Sequence, residues 1–258
     1  GARTVIGGDY EGALHAPTVL ADVKPEMRIS CDELFGPAVA VTPSSNIEEA
    51  IAMARQAEST GTRSIIATPH HIPRSPLSAI DEASKRVKQL QQILNWAEIA
   101  VEVHAGQENN AHENLIARFD EQEAVALNGT RYMLVEPPFR TYPVFLEGLL
   151  VALIQKGVIP VIAHPERNIH IQRDIQLVSR LVAMGVLIQI NTGSLLGSYK
   201  QPAMEAAIAL LRQDVVHVIA SDAHSDSGPF VPNMRQGFEA VAAQVGEEKA
   251  WVLARDNP

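Results

Sequence analysis

Six short apolar runs along the chain each stop just before a residue that can hold a metal or face a substrate. They are residues 64–68 before His70 and His71, 100–103 before Glu108, 132–135 before Glu136, 158–163 before His164, 186–190 before Asn191, and 215–220 before Asp222 and His224. Apolar runs of this length predict parallel strands covered on both faces. The stretches between them have a helical period. Residues 77–96 place Ile80, Ala83, Val87, Leu90, Ile93 and Leu94 on one face, and 142–156, 175–184, 203–211 and 234–245 follow the same pattern. Nearer the start, 38–42 reads as a strand, 43–46 as a turn with Asn46 as N-cap, and 47–58 as a helix. Strands alternating with amphipathic helices form right-handed βαβ units on a parallel sheet, often closed into a barrel with its functional groups at the C-terminal strand ends. The polar residues that follow the six runs fall at those ends.

Composition narrows the picture. With 258 residues, 46% of them hydrophobic, the chain can bury a substantial core. A net charge of −9 argues against nucleic acid or an anionic membrane surface as partner, since both favour basic patches. The single cysteine, Cys31, precludes an internal disulfide and suits a reducing, cytoplasmic compartment. Its neighbours Ser30 and Asp32 would not activate it as a nucleophile. The longest apolar stretch, 145–163, is interrupted by Glu147, Gln155, Lys156 and Pro160, so no membrane insertion is expected.

Glu108, Glu136, His164, Asp222 and His224, with His70 or His71, form a mixed carboxylate and imidazole set that suits manganese, iron or zinc better than calcium or magnesium. Each has an ordinary reading by itself, such as an exposed loop glutamate or a helix-capping aspartate. Their recurrence at the ends of successive strands is what points to a shared site. Three carboxylates at one mouth repel, since two unit charges about 4 Å apart at an effective dielectric of about 20 cost roughly 4 kcal/mol. Bound cations would remove that penalty. His104 and His217 lie inside strand-like runs and read as wall residues, whereas His15, His112 and His170 read as solvent-facing.

The segments Ile65-Ile-Ala-Thr-Pro-His-His71, Ala105-Gly-Gln-Glu108, Arg131-Tyr-Met-Leu-Val-Glu136, Val161-Ile-Ala-His-Pro-Glu-Arg-Asn168, Gln189-Ile-Asn-Thr-Gly-Ser194 and Val216-His-Val-Ile-Ala-Ser-Asp-Ala-His224 occur in this order. Together they resemble the polymerase and histidinol phosphatase (PHP) superfamily, specifically the capsule-type bacterial tyrosine phosphatases of the CpsB and YwqE kind. The resemblance implies a distorted TIM-like (β/α)7 barrel that hydrolyses phosphotyrosine on a protein such as a bacterial tyrosine kinase tail, in the regulation of capsule polysaccharide. It also implies a trinuclear cluster, usually of manganese, and allows a homo-oligomer. On that pattern His70 binds one metal with His224 beside it, and Glu108 bridges two. Glu136 and His164 complete another position, Asp222 binds near Glu108, and Arg167 holds the phosphate. A tyrosine phenolate, with a pKa of about 10, is a comparatively good leaving group for such chemistry.

Phosphatases of this kind open with a strand carrying His-x-His and then an aspartate turn, and this chain has neither. In their place Gly12-Ala-Leu-His-Ala-Pro-Thr-Val-Leu-Ala-Asp-Val23, Asp32-Glu-Leu-Phe-Gly-Pro37 and Ile47-Glu-Glu-Ala-Ile-Ala-Met53 resemble the aldehyde dehydrogenases. There Glu33 would touch the nicotinamide ribose and Phe35 would lie near the nicotinamide ring. The catalytic cysteine and dinucleotide-binding fold of that family have no counterpart here, so dehydrogenase activity is not expected. The expectation is a chimera. Residues 1–46 are an aldehyde dehydrogenase-like segment without independent domain status, and 47–258 are a PHP phosphatase-like barrel whose first βα unit is replaced by strand 38–42 and helix 47–58. Loss of the first-strand ligands leaves only the Glu108, Glu136 and His164 set intact, so one or two metals at most and impaired turnover are expected. His15, Asp9 and Glu11 are the nearest replacement ligands. The arginine that relatives carry soon after Asp-x-His is also missing from Ser225-Asp-Ser-Gly-Pro229, leaving Arg235 as the next candidate. Two other readings are a phosphatase of a small phosphomonoester such as histidinol phosphate, and a noncatalytic remnant that binds a kinase tail or a second copy.

Overall fold

The computed structural model describes residues 3–6, 10–11, 14–15, 18–21, 38–40, 47–70 and 80–257, with the backbone alone before residue 47 and at 80–82. The chain divides into two compact units, Gly1–Glu48 and Glu49–Pro258. In the first, β1 (Arg3–Ile6) runs antiparallel to β4 (Thr18–Ala21), and β4 runs parallel to β5 (Ala38–Ala40). β2 (Tyr10–Glu11) and β3 (Leu14–His15) form an antiparallel pair. The strand expected over 38–42 is therefore present at 38–40, and its ladder is with β4. Glu33 and Phe35, and the side chains of His15, Asp9 and Glu11, lie outside the described residues.

In the second unit β6 (Ser64–Ala67) and β7 (Glu102–Ala105) form a parallel ladder. β8 (Glu108–Asn110), β9 (Tyr132–Glu136), β10 (Ile159–Ala163), β11 (Leu187–Asn191) and β12 (Val218–Ala220) lie side by side in chain order as a parallel sheet. The helices are α1 (Ile47–Ser59), α2 (Ile80–Trp96), α3 (Leu115–Asp120), α4 (Leu146–Gln155), α5 (Ile169–Arg173), α6 (Gln176–Ala183), α7 (Thr192–Leu195), α8 (Lys200–Arg212), α9 (Met234–Val245) and α10 (Glu247–Trp251). No helix among the described residues is long and apolar enough to cross a membrane.

The sheet is built from strands buried on both sides. On one side Met133, Val135, Ile162, Ile188, Ile190 and Ile219 pack with helix residues Leu146, Leu150, Leu153, Leu181, Leu210 and Val241. On the other, Leu134, Val161 and Ala163 form a smaller cluster. The alternation of neighbours such as Met133, Leu134 and Val135 between clusters is the period of two that a pleated strand imposes.

The expected (β/α)7 barrel is not found as a closed ring among the described residues, where the five-stranded sheet is open and β6–β7 is a separate ladder. The break lies at Gly106-Gln107, where the chain passes closely over β6. A side chain at Gly106 would meet Ile66 Cγ2 at 2.8 Å and Thr68 Cγ2 at 3.2 Å. Gly106 N–H donates to Ala67 O (2.9 Å) and Glu108 N–H to Pro69 O (3.2 Å), and a parallel bridge pairs His70 with Glu108. These bonds carry the extension of β6 alongside the start of β8.

Candidate functional site

Glu108 opens β8, Glu136 closes β9, and His164 follows β10 directly. Glu108 is level with Leu134 of β9, so the three candidate ligands lie close together on adjacent parallel strands. His164 adopts a left-handed backbone, φ 32°, which a non-glycine residue takes only against steric resistance. That turn aims its ring at both carboxylates, with Nε2 3.2 Å from Glu108 Oε1 and 3.5 Å from Glu136 Oε1. From the other side His70 Nδ1 lies 3.3 Å from Glu108 Oε2 and 3.8 Å from Glu136 Oε2. Ligand atoms of His70, Glu108 and Glu136 all lie within 4.8 Å of one another. His71 lies outside the described residues.

Both glutamates and His164 are buried, and His70 is exposed. Burial opposes ionisation of Glu108, yet the hydrogen bond and charge of His164, with His70 and Arg167 behind them, hold its pKa below the usual carboxylate range. Burial likewise opposes protonation of His164, and the bond to Glu108 outweighs it, so that pKa is raised. The two shifts agree in direction and describe an ion pair. His164 Nδ1 is buried without a hydrogen-bond partner. Behind it, fully buried Glu166 accepts from Asn191 N–H (3.0 Å) and Ser194 Oγ (2.6 Å) through Oε1, and burial raises its pKa.

Asp222 and His224 form a second group. Asp222 follows β12 with φ 49°, also left-handed. Its Oδ2 accepts from Asn191 Nδ2 (2.7 Å), Arg167 Nη1 (3.4 Å) and Tyr199 OH (3.5 Å). His224 Nδ1 lies 2.9 Å from Asp222 O, and its ring stacks on Phe230. Three donors already converge on one oxygen of Asp222, which turns it toward Arg167. Arg235 is directed elsewhere, with a guanidinium nitrogen 3.8 Å from where a β-carbon on Gly61 would stand.

Phe139 and Tyr199 also belong to this site and were not singled out in the sequence. Arg167 Cζ lies 4.3 Å over the Phe139 ring and 4.1 Å over that of Tyr199. Their only advance signal is position, as aromatics in the loops that follow β9 and β11. His170, expected to face solvent, is half-buried in α5, while His112 is exposed.

Fold and site together define an α/β protein with a cluster of carboxylates and histidines that could hold a metal ion, on adjacent parallel strands and near an arginine. The family model for capsular polysaccharide synthesis, CpsB/CapC, matches residues 42–258, and the chain belongs to that family. It is 37% identical over 180 residues to the tyrosine-protein phosphatase YwqE of Bacillus subtilis (strain 168), spanning 69% of this chain and 70% of YwqE. It is 28% identical over 217 residues to the tyrosine-protein phosphatase CpsB of Streptococcus pneumoniae, spanning 82% of this chain and 88% of CpsB. Among solved structures of YwqE and CpsB, reported as metal-dependent tyrosine phosphatases, one aligns with a TM-score of 0.74 at 32% identity, covering 79% of this chain and 82% of that one. The aldehyde dehydrogenase family model matches residues 1–72. Over 58 residues the chain is 43% identical to benzaldehyde dehydrogenase [NAD(+)] of Pseudomonas putida, which is 22% of this chain and 12% of that enzyme.

Proposed function

We propose that this chain is a metal-dependent protein-tyrosine phosphatase, and that His70, Glu108, Glu136 and His164 hold its cation. The observation that carries the reading is the convergence of two buried carboxylates on two imidazoles beside an arginine. The donor set fits a cation, since two oxygen ligands and two nitrogen ligands suit manganese, iron or zinc. A cation bound there would make water a nucleophile near neutral pH and polarise the phosphoryl group.

The chain's own residues supply the rest. Glu108 and Glu136 bring the negative charge that selects a cation, and His164 is held toward them by its left-handed turn. Arg167 offers N–H groups to the phosphoryl oxygens, a geometry its planar guanidinium matches. Asn191 and Tyr199 hold Asp222 once a phosphoryl oxygen replaces it on Arg167. Asp222 and His224 belong to a second cation position, so about one or two cations bind per chain. The reading carries with it the PHP barrel, with the first βα unit replaced by the aldehyde dehydrogenase-like segment. It also implies a phosphotyrosine-bearing kinase tail as substrate, a cytoplasmic setting and association between copies.

The test is elemental analysis after manganese loading and desalting, with Glu136→Ala as control, followed by hydrolysis of a phosphotyrosine peptide. Metal that is lost in the variant, with turnover that follows it, supports the proposal. Metal no higher than in Glu136→Ala, or bound metal without turnover of any phosphomonoester, overturns it. Faster turnover of histidinol phosphate than of the peptide would reassign the substrate.

A further inference from the structure

A column of ring contacts joins the two groups of candidate ligands through Arg167. His164 stacks on Phe139 with centroids 5.4 Å apart, and Arg167 Cζ lies over Phe139 and over Tyr199 at 4.3 and 4.1 Å. Tyr199 then meets Phe230 at 5.7 Å, and Phe230 stacks on His224 at 4.5 Å. Each end of the column is a candidate ligand, and its centre is the candidate phosphate-holding group. We propose that Phe139 and Tyr199 form a slot that positions the Arg167 guanidinium for an incoming phosphoryl group. The catalytic consequence rests on the function proposed above, whereas the slot itself does not.

Two ring faces at this distance cover the faces of the guanidinium, so its polar contacts are made through the N–H rim. That rim meets Asp222 Oδ2 at 3.4 Å, beyond the 2.7–2.9 Å typical of a charge-assisted bond. A phosphoryl oxygen can therefore displace Asp222 while the rings keep the guanidinium in place.

The slot walls are themselves fixed by unrelated contacts. Phe139 O accepts from Ile169 N–H (2.9 Å), and buried Asn168 donates through Nδ2 to Pro138 O (2.6 Å) and Thr141 O (2.8 Å) on either side of it. Tyr199 occupies space that Gly193 leaves open, because a β-carbon at Gly193 would come within 3.0 Å of Tyr199 Cε2. Gly193 lies in α7, where glycine is a poor helix former and no left-handed angle requires it. The missing side chain is explained by the ring it admits.

The test compares the parent chain with Tyr199→Leu, Phe139→Leu, Tyr199→Phe and Gly193→Ala. The first readout needs no metal or turnover, being the rate at which phenylglyoxal modifies Arg167, followed by peptide mass spectrometry. Removing one ring should speed labelling roughly tenfold, and Tyr199→Phe should return it toward the parent rate. The second readout, on the manganese-loaded chain, is inhibition by inorganic phosphate, which should weaken roughly tenfold. Labelling of Arg167 at the parent rate in both leucine variants overturns the slot. Faster labelling in a chain whose parent form neither binds phosphate nor turns over substrate upholds the slot and sinks the proposed function instead. Should a leucine variant fail to fold, Gly193→Ala pushes on Tyr199 with both rings intact, and an unchanged labelling rate there overturns the slot equally.

Discussion

The same substitution at two helical glycines should have opposite effects. Gly237 lies in α9 where it crosses α7, and a β-carbon there would fall deep inside the contact distance of Thr192 Cγ2 and Cβ. Carbons pack at about 3.5–4.0 Å, so one element must move by roughly 1 Å or more. Thr192 cannot yield easily, since it is fully buried with its hydroxyl bonded to the Asn233 side chain and to Ala220 O (3.3 Å). Overpacking costs about 3 kcal/mol at the upper end of its usual range, and a lost buried hydrogen bond adds about 1 kcal/mol. Alanine returns about 1 kcal/mol through helix propensity. Gly237→Ala should therefore destabilise by about 3 kcal/mol and lower Tm by roughly 6–12 °C. Gly148 in α4 is exposed, with nothing within 4 Å of the added carbon, so Gly148→Ala should raise Tm by roughly 2–4 °C. Thermal denaturation of the two variants decides it. A Gly237→Ala chain melting at or above the parent temperature would falsify the packing argument.

His217 gives a pH signature. Burial, then Lys249, holds its pKa below the ordinary value, and its neutral Nδ1 accepts from Ile188 N–H (3.2 Å). A folded pKa below the unfolded one contributes stability above about pH 6.5, and that stability is lost as pH falls through the folded value. Tm should thus drop on acidification below about pH 6.5 more steeply in the parent than in His217→Gln, and equal slopes would remove His217 as the cause. Asn168 is buried and serves both as N-cap to His170 and Ile171 and as donor to Pro138 O and Thr141 O. Asn168→Ala should cost about 2–4 kcal/mol in urea unfolding, with Asn168→Asp intermediate because it keeps the cap and loses the donors. Parent-like stability in the aspartate variant would show that the loop bonds contribute nothing.

The strands legible in the sequence are those whose apolar runs are buried on both faces, as in β9 and β10. β8 escaped because it is Glu108-Asn109-Asn110, with no apolar residue to mark it. It is held by its ladder to β9 and by Asn109 Nδ2, which bonds the carbonyls of Gln107, Val125 and Leu134. The run 215–220 promised more strand than β12 contains, because Val215 N–H still bonds Leu210 O at the end of α8. α3 and α5, at six and five residues, are too short for a helical period to be read.

The candidate ligands were legible for a positional reason, each following an apolar run at the end where parallel sheets expose function. Their division into two groups was not, because it depends on left-handed turns at His164 and Asp222 that sequence does not dictate for these residue types. The division has a chemical consequence. Glu108 and Glu136 face two imidazoles across 3.2–3.8 Å, so a cation entering there meets two carboxylates and two nitrogen ligands together. Asp222 already has an arginine, an amide and a hydroxyl on one oxygen, so a cation entering there competes with Arg167 for its charge. The two positions should therefore fill in that order, and phosphate, by taking the place of Asp222 on Arg167, should favour the second.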